Sequence, residues 1–286
     1  MRRPMLAASA LFVLAGIPLG VHAAAENKAA VSCDGCEAAL GQVFASPLRK
    51  DDRARDVYRH PSETLAFLGV RPDMKVGEFA PGGEWYSRLL GLYLGEKGNL
   101  VGLYADPVTL RMTPEAAART RKAAEGYPAD VASFTGLPAD RFAAYTLDAV
   151  PEAEKGTFDH VLIVRMLHNM MRSSVADSDI KGMRDLLKPG GLLGIVQHRA
   201  KADAPFEYAN GANGYLREED VIKFVEANGF ELVATSEINA NPNDSANWPG
   251  GVWTLPPTLA LKDTDRAKYQ AIGESDRMTL LFRKRP

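Results

Sequence analysis

The run Val76-Gly77-Glu78-Phe79-Ala80-Pro81-Gly82-Gly83-Glu84-Trp85-Tyr86 carries the strongest chemical signal in this chain of 286 residues. An apolar stretch closes around an acid, Glu78. A Pro81-Gly82-Gly83 turn follows, and a helical pattern then opens. Strand, glycine loop and helix N-terminus in that order let backbone approach a nucleotide-like ligand closely. The spacing differs from G-x-G-x-x-G, and the third glycine expected for a pyrophosphate cofactor is missing. The competing reading is an ordinary surface turn after a strand.

Two histidines follow apolar runs further on. His168-Asn169 comes after Phe158-Asp159-His160-Val161-Leu162-Ile163-Val164-Arg165-Met166-Leu167, and His198-Arg199 after Leu192 to Gln197. A histidine with a pKa near neutral can take a proton from a reacting group; the other reading is a hydrogen-bonded structural histidine. Asp106 and Asp148 also follow strand-like runs, each readable as a plain turn or loop acid. Arg165 to His168 supplies no clustered carboxylates, so no metal is expected. No Ser-His-Asp spacing is legible, and Cys33 and Cys36 alone do not make a four-ligand zinc site.

These residues need a scaffold, and the hydrophobic periodicity provides one. Pro61 fits a first helical turn and Gly69 a helix stop. Strands are expected at Met74 to Ala80, Asn99 to Ala105, Phe142 to Leu147, Phe158 to Met166, Leu192 to Gln197, Glu231 to Ile238 and Met278 to Arg283. Helices are expected from Glu84 to Leu94, from Thr113 to about Tyr127 within the usual boundary error, around Ile180 to Leu187 and around Val221 to Val225. Lys188-Pro189-Gly190-Gly191 reads as a helix stop. Alternating strands and helices imply a mostly parallel sheet covered on both faces, a Rossmann-like doubly wound α/β fold. Ligands on such sheets sit at the carboxyl ends of the strands. Residues 239–275 form a long insertion between the last two strands, where Trp248, Trp253 and Tyr269 serve either packing or a ligand pocket.

A formal charge of −2 gives no reason to expect nucleic-acid binding. Residues 1–25 read as a secretory signal peptide: Arg2 and Arg3, an apolar stretch from Met5 to Gly20, then small residues before Ala24 and Glu26. The expected location is therefore periplasmic or secreted, with no stable membrane span after cleavage. In an oxidising compartment Cys33 and Cys36 could close a small disulfide loop. Residues 26–55 look like an extended or weakly helical tail, with the main domain over 56–286.

The glycine-loop run, the F-D-x-V pattern at 158–161 and Asp185-Leu186-Leu187-Lys188-Pro189-Gly190-Gly191 occur in an order that resembles class I S-adenosylmethionine (SAM)-dependent methyltransferases. Within that family the chain is most similar to a group of bacterial, signal-bearing predicted methyltransferases, through residues 59–72, the P-G-G-E-W-Y turn and residues 196–200, 241–244 and 275–277. The resemblance implies a seven-stranded sheet whose last strand is antiparallel, with SAM as cofactor. It implies that Glu78 holds the cationic amino acid portion of SAM, directly or through water. Pro81, Gly82 and Gly83 would pass along the ligand. Asp106, or Tyr104 in its place, would contact the ribose, and Asp148 the adenine. His168 and His198 would then face a small-molecule acceptor, with the methyl leaving near His168. Two other readings stay open: a non-catalytic SAM- or nucleotide-binding protein of the same fold, and a nicotinamide-dependent oxidoreductase, against which the missing G-x-G-x-x-G and the Lys-Pro-Gly-Gly segment count.

Overall fold

A computed structural model describes residues 35–95 and 97–286. The expected signal peptide, residues 1–25, and Cys33 lie outside these residues. Helix α1 (Cys36–Ala45) opens the described chain, followed by short 3-10 turns at Pro47–Arg49 and Arg53–Arg55, then α2 (Asp56–Arg59) and α3 (Pro61–Phe67). Alternation follows: β1 (Lys75–Phe79), α4 (Trp85–Leu94), β2 (Asn99–Tyr104), α5 (Pro114–Thr135), β3 (Phe142–Thr146) and β4 (Phe158–Val164). Then come α6 (Leu167–Arg172), α7 (Ala176–Leu186), β5 (Leu187–His198), α8 (Phe206–Ala209), α9 (Glu218–Ala227), β6 (Phe230–Ser236), α10 (Arg266–Ile272) and β7 (Arg277–Lys284).

The strands form one seven-stranded sheet in the order β3-β2-β1-β4-β5-β7-β6. Strands β1 to β5 pair in parallel, and β7 lies antiparallel between β5 and β6. The strand order reverses between β1 and β4, so the crevice for a ligand opens beyond their carboxyl ends. Each face of the sheet has its own core. Val161, Ile163, Leu167, Ile180 and Met183 pack on one side; Leu89, Leu90, Tyr127, Val131 and Leu162 pack on the other. Burial on both faces explains why these strands read as continuous apolar runs rather than alternating ones.

Two elements differ from the sequence expectation. Helix α5 runs on to Thr135 through Pro128. A proline inside a helix costs about 3 kcal/mol; here Tyr127 and Val131 on either side of it are buried and hold the helix on the sheet. Strand β5 starts at Leu187, not Leu192. Phe158 pairs with Leu187 and His160 with Leu192, so Lys188-Pro189-Gly190-Gly191 forms a bulge in the ladder with Gly190 at φ 70°. Of the two forms expected for the tail, residues 36–55 take the helical one: α1 buries Leu40 and Val43, and Asp52 accepts a hydrogen bond from the Trp85 indole at 3.1 Å and from Arg88 at 2.8 Å. The N-terminal segment is thereby tied to the start of α4.

Candidate active site at the strand ends

A cavity of about 220 Å³ opens at the carboxyl ends of β1, β4 and β5. Ala80 and Gly82 of the loop after β1 form one wall, Arg165 and His168 after β4 another, and His198 at the end of β5 the floor. The insertion covers it with Trp253 and Pro256, and Ser275 closes it just before β7. The two histidines singled out in the sequence thus meet, with ring centroids 5.5 Å apart. Trp253 lies 6.0 Å from His168, edge to face. Trp248 and Tyr269 instead pack on each other at 5.6 Å, away from this cavity.

The hydrogen bonds set the state of each ring. Gln197 Nε2 donates to the Gly214 carbonyl at 2.8 Å, which turns its Oε1 toward His168. The His168 Nδ1 lies 3.4 Å from that oxygen. Gln197 Nε2 lies at the same 3.4 Å from Nδ1, so the Gln197 amide meets that nitrogen in either tautomer. Burial pushes the His168 pKa down to about 4, with Arg172 and Arg165 acting the same way against Gln197. His168 is neutral at pH 7, a weaker base than an ordinary histidine and suited to accept a hydrogen bond rather than to store a proton. His198 Nδ1 sits 2.6 Å from the Ser275 hydroxyl. Burial first, then His168 and the nearby arginines, hold its pKa well below the usual value.

Behind the cavity, three arginines converge on Glu274. Arg55 approaches it at 2.8 Å, Arg59 at 3.1 Å and Arg277 at 2.8 Å. Burial alone would raise this carboxyl; the arginines outweigh it and hold the pKa at about 2. Arg165, Glu274 and Ser275 had no role in the sequence reading, although Arg165 lies inside the quoted β4 run and Ser275 opens the quoted 275–277 segment.

The residues assigned to a cofactor are spread along β1, β2 and β3. Gly82 reaches the cavity. A Cβ on Gly82 would meet only the Ala80 carbonyl, at 3.7 Å, and one on Gly83 would meet nothing within 4 Å, so the space over the loop is open. Ala80 and Glu84 flank the turn in left-handed conformations (φ 49° and 55°), and Gly83 has φ 63°. Non-glycine residues are uncommon there, so the tight turn is kept without glycine at every step. Glu78 is buried beneath the loop. It accepts from Ser87 Oγ at 2.7 Å and lies 3.4 Å from the Tyr127 hydroxyl, and burial raises its pKa to about 7. Tyr104 is half-buried against Tyr127, with centroids 6.2 Å apart. Asp106 accepts from the backbone of Val108 and Thr109 at 2.7 and 3.1 Å. Asp148 pairs with Arg121 at 2.6 Å. Gly82 therefore shares the cavity with the histidines, while Glu78, Tyr104, Asp106 and Asp148 do not line it. An open cradle over the glycine turn, with a half-exposed tyrosine and acid at the end of β2, fits a nucleoside-bearing ligand. Ser87 and Tyr127 both approach Oε2 of Glu78.

Among the described residues no group of three or more His, Cys, Asp or Glu side chains is placed to hold a metal ion. No described helix is long and apolar enough to cross a membrane.

No family model matches the chain, and no characterised protein matches it in sequence. Solved structures do match. A protein from Galdieria sulphuraria, provisionally assigned as a sarcosine dimethylglycine methyltransferase, is similar over 84% of this chain and 89% of its own, with TM-score 0.50 and 13% identity. A SAM-dependent methyltransferase from Aquifex aeolicus is similar over 86% and 98%, with TM-score 0.49 and 14% identity. The 1,6-didemethyltoxoflavin-N1-methyltransferase of Burkholderia thailandensis, solved with its substrate and S-adenosylhomocysteine, is similar over 89% and 91%, with TM-score 0.46 and 15% identity. At such identities the shared property is the fold, a Rossmann-like α/β architecture of seven strands with β7 antiparallel to its neighbours.

Proposed function

We propose that this protein is a SAM-dependent methyltransferase acting on a small-molecule acceptor. The observation that carries the reading is the meeting of the open glycine turn with two neutral histidines at the carboxyl ends of β1, β4 and β5. SAM supplies an activated methyl group, so the protein's task is alignment and exclusion of water. Gly82 and Gly83 provide the surface along which the cofactor lies. Tyr104 and Asp106 serve its ribose and Asp148 its adenine, where Arg121 competes for the same carboxylate. Glu78 holds the cationic amino acid portion of the cofactor, directly or through water, with Ser87 fixing one carboxyl oxygen. His168, neutral at pH 7, lies where its ring orients an acceptor hydroxyl or amine. His198 is held in place by Ser275 and limits the cavity floor. Trp253 and Pro256 shield the site from water.

Calorimetry of the mature chain with SAM, S-adenosylhomocysteine and NAD tests this reading. Binding of S-adenosylhomocysteine is expected; binding of neither SAM nor its product would remove it. Cofactor binding without release of S-adenosylhomocysteine across a broad set of small-molecule acceptors would favour the non-catalytic alternative.

The same proposal includes export. Cys36 is disulfide-bonded, as suits an oxidising compartment. Mass spectrometry of the protein from a bacterial host is expected to find an N-terminus near Ala24 or Glu26; an intact Met1 in the cytoplasm would reject export.

A further inference from the structure

Four arginines surround one carboxylate beside the cavity. Arg55, Arg59 and Arg277 bond Glu274, and Arg165 acts on the same group. The carboxylates nearby in the chain are engaged elsewhere: Asp56 with Arg49 at 2.7 Å, Asp52 with Arg88 and Asp276 with Arg199 at 3.1 Å. Four cations face one anion, an excess of three positive charges, and of these Arg59 also lies over the Trp85 ring at 4.6 Å. Burying unpaired charge is costly, so a cluster of this kind draws in negative charge.

The unmet bonding capacity is specific. The Arg165 side chain lines the cavity and makes no hydrogen bond or ion pair within the 4 Å range of a salt bridge among the described residues. Its Nε is buried and unpartnered, as are both terminal nitrogens of Arg59, a residue with no exposed surface. Arg165 is also held at φ 57°, while its backbone N–H donates to the Val196 carbonyl at 2.7 Å. A non-glycine residue kept in that conformation at a strand end fits a side chain whose direction matters. The guanidinium presents two parallel N–H groups that match a carboxylate or phosphate. Apart from Glu274, which is already committed to arginines, the cavity lining contains no acid.

We propose that Arg165 is the anion-binding residue of this cavity, and that the ligand seated beside His168 carries a carboxylate or phosphate group. Two sources share this chemistry: an anionic methyl acceptor, which rests on the methyltransferase reading, and the amino acid carboxylate of the cofactor itself.

The test uses the full mature chain and three probes: inorganic phosphate, S-adenosylhomocysteine and 5′-methylthioadenosine, which lacks the amino acid portion. Phosphate is expected to raise the melting temperature of the parent. Arg165→Met is expected to melt higher than the parent without phosphate, because a repelling charge is gone, and to lose the phosphate response. Arg165→Lys keeps the charge and is expected to retain part of that response. If Arg165→Met also binds S-adenosylhomocysteine about tenfold more weakly, the size of one lost charge-assisted hydrogen bond, with 5′-methylthioadenosine unchanged, the anion is the cofactor's. If S-adenosylhomocysteine is unaffected while the phosphate response is lost, the anion belongs to the acceptor. A parent that responds to phosphate but binds neither SAM nor S-adenosylhomocysteine ends the methyltransferase reading and leaves the anion site standing. An Arg165→Met variant that melts lower than the parent, with phosphate and S-adenosylhomocysteine responses intact, overturns the proposal and makes Arg165 structural.

Discussion

Glu78 and Glu274 lie near the same end of the sheet, both buried, and they are held in opposite states. Glu78, under the loop after β1, has only hydroxyl partners, and burial lifts its pKa to about 7. For Glu274, ahead of β7, burial pulls the same way, yet the converging arginines reverse it to about 2. The β1–β3 side of the site is thus built on near-neutral hydrogen bonds. The β4–β5–β7 side is built on charge. Under the proposed function, a nucleoside belongs to the first half and an anion to the second.

The largest test of this contrast is Glu274→Gln. It leaves three arginines, of which Arg59 and Arg277 are buried, without their counter-charge, and the expected loss is about 3–5 kcal/mol of folding stability in urea at pH 7. The pH dependence has a definite sign. A carboxyl with a lowered folded pKa contributes stability above its unfolded value, near 4.5, and that contribution disappears as pH falls toward 2. The parent should therefore lose stability more steeply than the variant over that window.

Glu78→Gln is expected to act the other way. A carboxyl with a raised folded pKa stabilises below about pH 4.5 and loses that contribution as pH rises through about 7. The amide keeps the Ser87 hydrogen bond without the cost of ionisation. The variant should match the parent near pH 5 and exceed it at pH 8, by up to about 3 kcal/mol. A variant less stable than the parent at pH 8 would mean that Glu78 has a cationic partner, and the contrast would fail.

Smaller effects sharpen the division between the halves. His168→Ala should lower turnover by about 2 kcal/mol in activation free energy, near the low end for a positioned proton-handling group, with S-adenosylhomocysteine affinity unchanged. A fall in stability without a fall in turnover per folded molecule would make it a loop anchor. Asp106→Ala should weaken S-adenosylhomocysteine by about 1 kcal/mol while leaving any phosphate response intact. Loss of both would merge the two halves into one site.

Much of the scaffold is legible in the residues themselves. The strands are doubly buried, so Val161 to Val164 stands out as an unbroken apolar run. Where local signals mislead, tertiary packing has overruled them. Pro128 looks like a stop, but Tyr127 and Val131 keep α5 on the sheet. The histidine pair could be picked out because each member lies at or just beyond the carboxyl end of an apolar strand run. Its electrostatics could not, since the Arg59–Glu274 contact joins residues 215 positions apart and no local pattern reports it. The quoted 241–244 segment had no reading either. Asp244, fully buried, accepts from Tyr215 at 3.0 Å, from the Trp248 indole at 2.7 Å and from the Asp276 backbone at 2.9 Å. It pins the insertion to the segment that carries Glu274 and Ser275.

The long reach of the Arg59–Glu274 contact also sets an order of events during synthesis. Arg55 and Arg59 lie near the start of the described chain, while Glu274 and Ser275 come just before its last strand. Non-local contacts of this kind form late, after the loop between them has closed. A ribosome-bound chain that has released β1 to β5 has a glycine turn and two histidines but no closed pocket around them. The site is completed only when β7 slots between β5 and β6, so chains cut short before residue 274 are expected to be inert as well as unstable.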